Sequence, residues 1–597
     1  MSDEIKHECA VAMVVLRRPP SATGDFGGTK LSLLLEKQHN RGQDGAGAAV
    51  LSADPEPGEP PYWIAKSASS TPLADVLGAI GRRHVSRRDA EAQSEADLLD
   101  SASPRERIFL GHLRYATFGK NEVSFCHPFV HEASDLRHTL LLAGNFNLTN
   151  AHELFDDYSR GGSFPTSKAD GYLVCELIAK ELERLLSQRG VSGFRSLAET
   201  VPSNLQDSKT PSNESSISHA LRKALADADG AWTLCGATGD GWAFATRDPH
   251  GIRPGFCYVD DDVAVVASER PAIQAAFDVP PETVKELPPG QALVVSPNGE
   301  VSFKALTHSD TPTLRHSTDI TPCSFERIYF SRANDADIHR ERKALGAALL
   351  PQILKAADAP IEDIFFSYIP NSARIAFHGL LEELFGNIKS FPRFGEVAVK
   401  DAKFRTFIAD AAARREFYKH VYDVTYGLVR PGRDTLVVLD DSIVRGNTMK
   451  NAILPMLDRL GPKRIVVASS APPIRYPDCY GIDMSTLGEL VAFRALVNLL
   501  GRTTELLSPS ESDNPLAALY ARFSDEEHCA EIARLLTPPG MKAEVKVVYQ
   551  TVGNLRRCLG EGIGDWYFTG DYPTPGGYKV LHKAIENYTE KRNERSY

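Results

Sequence analysis

The run TLVVL at Thr435–Leu439 ends in two adjacent aspartates, Asp440 and Asp441, then opens into SIVRGNT and the stretch MKNAILPMLDRLGP. Adjacent carboxylates repel each other unless something positive or rich in hydroxyls lies between them. Apolar residues after Thr448 recur at helical spacing, so the segment predicts a strand, a tight loop and a helix in that order. Backbone N–H groups at the start of a helix form an anion site suited to a phosphate. Carboxylates a few residues earlier can accept from vicinal hydroxyls or hold Mg²⁺. A ligand with a phosphate at one end and a diol at the other is a ribose 5-phosphate.

The surrounding sequence predicts the frame for such a loop. Strand-like DIFFSYIP (363–370), TLVVL and RIVVASS (464–470) alternate with helix-like RERKALGAALLPQILKAA (340–357) and the helix after Thr448. That alternation predicts an α/β parallel sheet flanked by helices, in which ligands bind at the carboxyl ends of the strands. The whole loop DDSIVRGNT resembles the phosphoribosyl-pyrophosphate loop of type I phosphoribosyltransferases. Polar, turn-rich HSDTPTLRHSTDITP (308–322) precedes this half and reads as the domain joint.

The first half has a different texture. HTLLLAGNFNLTN, WTLCGATGDGWAFATRD and DDVAVVASER read as strands, and 172–186 as a helix. Insertions are expected near 52–107 and 190–220; 52–62 and 201–218 are poor in apolar residues and dense in Pro, Ser and Asn, and read as disordered surface segments. Cys9 stands before an apolar run. QHNRGQDGAG (38–47), GHLRYATFG (111–119) and GNFNLTN (144–150) set glycines and polar groups beside strands. Arg114 can grip a carboxylate in bidentate fashion. Asn145 can donate to a developing oxyanion, and Asp170 can accept from an α-ammonium.

Taken together, these stretches resemble the class II glutamine amidotransferases, whose fold is an α+β N-terminal-nucleophile αββα sandwich. RDPHGIRP (247–254), VASERPAI (266–273), LPPGQALVV (287–295), CSFERIYFSR (323–332), RTFI (405–408) and PPIRYPDCYGIDM (472–484) extend the resemblance to the family that joins such a domain to a type I phosphoribosyltransferase. It implies a propeptide at 1–8, an amidotransferase domain at 9–315, a phosphoribosyltransferase domain at 316–545 and a C-terminal extension at 546–597, ending in a helix. The implied reaction transfers glutamine-derived ammonia to C1 of phosphoribosyl pyrophosphate, giving 5-phosphoribosylamine, glutamate and pyrophosphate.

Residue roles follow from the resemblance. Cys9 is the nucleophile, exposed by cleavage after Glu8. Asn145 and the backbone of Phe146, where relatives carry glycine, form the oxyanion hole. Arg114 and Asp170 bind glutamine. Asp440, Asp441, Ser442, Ile443, Val444, Arg445, Gly446, Asn447 and Thr448 bind phosphoribosyl pyrophosphate, and Ser372, Asp440 and Asp441 contact Mg²⁺. A loop around RTFI closes over the substrate and completes a channel, with Arg414 and Arg415 covering part of a stretch that is more basic in relatives. Of four cysteines that hold an iron–sulfur cluster in some relatives, Cys323 alone has a counterpart; the other places fall on Asp478 and near Gly564 and Tyr567, so no cluster is expected. The family forms dimers or tetramers, and purine nucleotides are candidate inhibitors.

Bulk properties narrow the field further. Of 597 residues, 24% are charged, with a net charge of −11, which disfavours nonspecific nucleic-acid binding. No run approaches the ~20 apolar residues of a bilayer span, and the first residues lack a signal-peptide core. Nine cysteines without a C-x-x-C pattern do not form a disulfide framework, and the cytosol is the expected location. Two other function classes stay open on the sequence: a non-catalytic sensor of phosphoribosyl pyrophosphate or purine nucleotides, and a glutaminase serving another acceptor.

Overall fold

The structure is a computed structural model that describes residues 8–18, 26–52, 60–91, 106–116, 122–188, 213–306, 320–387, 391–400, 422–482, 484–501, 512–592 and 594–596. RTFI, the 409–421 stretch and Met1–His7 lie outside these. The chain divides into two compact units, with the division after Ile320.

Among the described residues the first unit has thirteen strands in two antiparallel sheets. These are β1 (Ala10–Leu16), β2 (Gly45–Ser52), β3 (Tyr62–Ser67), β4 (Glu106–Arg114), β5 (Phe129–His131), β6 (Leu140–Leu148), β7 (Gly230–Thr238), β8 (Ala243–Arg247), β9 (Phe256–Val259), β10 (Val263–Ala267), β11 (Lys285–Glu286), β12 (Gln291–Val295) and β13 (Val301–Ala305). One sheet runs β11-β9-β10-β1-β4-β2-β3, the other β13-β12-β8-β7-β6-β5. Side chains alternate across a strand, and β1 shows why all seven of its residues are apolar. Val11, Met13 and Val15 enter a core shared with the second sheet, whereas Ala10, Ala12, Val14 and Leu16 face helices α1 (Phe26–Lys37) and α2 (Pro72–Glu91). Helices α3 (Ala151–Arg160), α4 (Asp170–Gln188) and α5 (Asn213–Ala224) cover the far face of the second sheet, and α6 (Arg270–Phe277) joins α1 over the first. The layers are helix, sheet, sheet, helix.

One expectation of disorder is corrected here. Residues 213–218, the end of a stretch expected to be disordered, instead open α5, because Ile217, Ala220 and Leu221 recur at helical spacing and are buried against α4 and the sheet. Within 52–107, β3 extends the first sheet and α2 buries Val76 and Ile80.

In the second unit β14 (Ile364–Tyr368), β15 (Arg393–Phe394), β18 (Thr435–Asp440), β19 (Arg464–Ser469) and β20 (Glu544–Tyr549) form a parallel sheet in the order β15-β14-β18-β19-β20. Two short strands, β16 (Ala398–Lys400) and β17 (Tyr422–Val424), make a separate ribbon. β20 crosses the boundary expected at 545, since Val545–Tyr549 pair with β19 as the sheet's last strand. Burial on both faces accounts for the continuous apolar runs. Val437, Leu439, Val466 and Ala468 meet helices α8 (Leu350–Ala357) and α9 (Arg374–Asn387) on one side, and α7 (Ala336–Ala348) packs against α9. Leu436, Val438, Ile465 and Val467 meet helices that include Val491–Leu500 and Asp525–Leu536 on the other. The stretch 340–357 is two helices instead of one. Pro351 sits in the first turn of α8, where its missing N–H costs nothing, and would break a continuous helix.

Candidate functional sites

Cys9 immediately precedes β1. Its Sγ accepts from the Tyr115 N–H at 3.2 Å, just beyond the end of β4. Burial pushes the thiol up to about 11, against the lowering effects of the Tyr115 backbone and the Arg114 charge. At neutral pH it is therefore a protonated thiol that needs a base to become a nucleophile.

Arg114 is the last residue of β4, 5% exposed, its guanidinium stacked 5.6 Å from the centre of the Phe125 ring. Its carbonyl accepts from Asp44 N–H at 3.0 Å, and Asp44 in turn accepts from Ala116 N–H at 3.1 Å, fixing the turn in which Arg114 lies. Asp170 opens α4 and accepts from Gly171 N–H at 2.9 Å. Burial pushes its carboxyl up to about 6, and the Arg114 charge pulls the other way. Arg114 thus acts electrostatically on both Cys9 and Asp170.

Asn145 lies in β6 of the other sheet, buried, and its side-chain nitrogen has no hydrogen-bond partner among the described residues. A buried amide donor without a partner is costly, and an acceptor on a ligand would offset that cost. Phe146 pairs with Trp232 as an ordinary strand residue, and its ring meets that of His127 at 5.7 Å. No left-handed backbone is needed there, so phenylalanine fits the strand.

Two histidines were not singled out from the sequence. His112 on β4 contacts the Gly144 carbonyl through Nε2 at 3.0 Å, and His127 Nδ1 accepts from Gly144 N–H at 3.2 Å. The rings stack 4.1 Å apart, and burial lowers both, His112 to about 3, so both are neutral. Together they hold both the N–H and the carbonyl of Gly144, the residue before Asn145. His112 stands inside GHLRYATFG, but only the crossing of β4 and β6 makes it visible as a support.

In the second unit the loop opens at the carboxyl end of β18. Asp441 N–H donates to Asp440 Oδ1 at 2.9 Å, Ser442 Oγ donates to Asp441 Oδ2 at 3.2 Å, and Ser372 Oγ contacts the other Asp441 oxygen. Burial and the Asp441 charge hold Asp440 well above the usual carboxylate range, and burial raises Asp441 as well. The pair cannot carry two full charges without a cation or hydroxyl donors beside it.

Beyond Ser442 the side chains divide. Ile443 and Val444 enter the core, and Val444 accepts from Val491 N–H at 2.9 Å, so these two can offer a ligand only backbone. Arg445 is buried and paired with Glu489 at 2.7 Å, which commits its guanidinium to the scaffold. Gly446 has φ +77°, and a Cβ there would lie 2.3 Å from Leu536. The first helical hydrogen bond follows at once, Lys450 N–H to the Gly446 carbonyl at 2.9 Å.

Among the described residues no group of three or more His, Cys, Asp or Glu side chains is arranged to hold a metal. Two carboxylates and the Ser372 hydroxyl still fit Mg²⁺, which binds few protein ligands and takes the rest from substrate phosphates and water. The positions that the resemblance matches to cluster cysteines make contacts within the chain. Cys323 bridges to Gly564 and lies 3.0 Å from the Tyr567 hydroxyl, while Asp478 accepts from Trp566 Nε1 at 3.1 Å. No helix among the described residues is long and apolar enough to cross a membrane.

No family model matches the chain. Among curated proteins it is 30% identical over 396 residues to an amidophosphoribosyltransferase of Pasteurella multocida, covering 64% of this chain and 69% of that one. It is 27% identical over 398 residues to the Archaeoglobus fulgidus amidophosphoribosyltransferase, covering 66% and 74%. Among solved structures it resembles a glutamine phosphoribosylpyrophosphate amidotransferase from B. subtilis complexed with ADP and GMP. That match has a TM-score of 0.62 and 23% identity, covering 95% of this chain and 97% of the other.

Proposed function

The chain belongs to the amidophosphoribosyltransferase family, and we propose that its two units divide the family's reaction between the Cys9 and Asp440–Thr448 sites. The enzyme is a glutamine-dependent pentosyltransferase that catalyses the first step of de novo purine biosynthesis. We read the first unit as an N-terminal-nucleophile sandwich and the second as a type I phosphoribosyltransferase domain.

Removal of Met1–Glu8 supplies the missing base. A free α-amine at Cys9, with an ordinary pKa near ~8, takes the thiol proton that the buried sulfur holds so firmly. Sγ attacks the glutamine amide carbon, the carbon–nitrogen bond breaks, and the proton leaves with ammonia. Asn145 Nδ2 and the Phe146 N–H receive the oxyanion, and water then hydrolyses the thioester to glutamate. Arg114 pairs with the glutamine carboxylate and Asp170 with its ammonium.

In the second unit Asp440 and Asp441 accept from the ribose hydroxyls, and the backbone from Ser442 to Thr448 cradles the 5-phosphate. Mg²⁺ at Asp440, Asp441 and Ser372 would supply charge neutralisation for the departing pyrophosphate. Ammonia forms the new bond at C1. The carrying observation is the desolvated Asp440–Asp441 pair at the carboxyl edge of a parallel sheet, which a glutaminase alone does not need. ADP and GMP in the B. subtilis relative make purine nucleotides the inhibitors to try, and we place the enzyme in the cytoplasm.

Cys9→Ala tests the division of labour. It should lose glutamine-dependent pyrophosphate release yet keep release driven by ammonium salts. Loss of both would contradict two separable sites.

A further inference from the structure

Glu8, the residue before the nucleophile, is 1% exposed, and its carboxylate is held in a buried cluster. It contacts Arg253 directly and lies 3.7 Å from Arg41 Nη1; both arginines are buried. Arg41 is anchored in turn by Glu269 at 2.7 Å, which also accepts from Asn40 at 2.8 Å. The Glu8 backbone carbonyl accepts from the Gly42 N–H at 2.9 Å. Gly42 has φ +40°, and a Cβ there would meet the Leu113 backbone at 2.4 Å, so only glycine lets this N–H approach so closely.

A charged side chain is buried only where it is paired, and none of the chemistry on glutamine uses Glu8. A segment destined only to be discarded needs no such anchorage. We propose that the Glu8 carboxylate, gripped by Arg253 and Arg41, is the positioning residue for its own removal, holding its carbonyl against Gly42 so that Cys9 can attack it. The inference rests on the reading that Met1–Glu8 is cleaved off.

The step balances within the chain plus one water. Cys9 Sγ bonds to the Glu8 carbonyl carbon, the Glu8–Cys9 carbon–nitrogen bond breaks, and the thiol proton ends on the Cys9 nitrogen. Gly42 N–H stabilises the transient oxyanion. Water then cleaves the thioester, returning the Cys9 thiol and leaving Glu8 as a carboxylic acid. The arginine pair makes the cut selective for an acidic residue at that position, because a neutral one leaves the buried cations without their partner.

The test follows full-length wild type, Glu8→Asp and Glu8→Gln after synthesis. Mass spectrometry quantifies the peptide spanning residues 8 and 9 against a new terminus at Cys9, and melting temperature is recorded alongside. Cleavage should slow about tenfold or more in Glu8→Gln, since small misplacements of reacting groups cost that much, and should be partly restored in Glu8→Asp. If Glu8→Gln fails to fold, Glu8→Gln with Arg253→Gln keeps the cluster electrically balanced and should still be slow. Wild-type cleavage rates in Glu8→Gln, or in the double variant, would overturn the proposal. An uncleaved but active wild type would instead overturn the removal of Met1–Glu8 itself.

Discussion

At the scale of single residues, the oxyanion donor gives the sharpest expectation. Asn145→Ala removes a donor that acts only on developing charge, so kcat for glutamine hydrolysis should fall roughly 10²- to 10³-fold with KM little changed. A KM effect alone would assign Asn145 to ground-state binding. Asp170 sets a pH dependence. Burial raises its pKa to about 6 from 3.8, so the folded protein favours the neutral acid. Its ionisation therefore costs stability as pH rises between those values, and that cost is fully present above 6. Binding an ammonium needs the carboxylate, so kcat/KM for glutamine should fall as pH drops below about 6, and Asp170→Asn should be poor at every pH without that limb. The candidate residues themselves were legible because unusual polar types sit beside glycines and strands. The histidines were not. His112 and His127 share no sequence motif and gain meaning only where β4, β6 and the His127 segment converge on Gly144.

Elements were legible where periodicity is strong and opaque where a boundary depends on one atom. β18 and β19 read clearly as buried strands, but the break between α7 and α8 turns on the absent N–H of Pro351. The helix α5 was masked by the polar composition of 201–218, although three apolar residues at helical spacing suffice to dock it. The contact between α7 and α9 was invisible in the sequence. A Cβ on Gly346 would stand 1.7 Å from the Ala376 carbonyl, and one on Gly379 1.9 Å from the Lys343 carbonyl, so each glycine receives the other helix's backbone. Gly346→Ala should therefore destabilise the second unit by about 1–3 kcal/mol through overpacking. Urea unfolding would show this as a lower midpoint, and an unchanged or higher midpoint would mean the helices separate without penalty.

For the whole molecule the central claim is coupling between two chemistries carried by one chain. Asp441→Asn should remove pyrophosphate release with either glutamine or ammonium as nitrogen donor, since the change lies in the acceptor site, while leaving Cys9 competent to form its thioester. The most direct measurement is simultaneous assay of glutamate and pyrophosphate from glutamine and phosphoribosyl pyrophosphate with Mg²⁺, omitting each component in turn. Both products should appear in equal amounts, pyrophosphate should require all three components, and Cys9→Ala should abolish glutamate. Glutamate released at full rate with no pyrophosphate would contradict that coupling and leave a glutaminase serving some other acceptor.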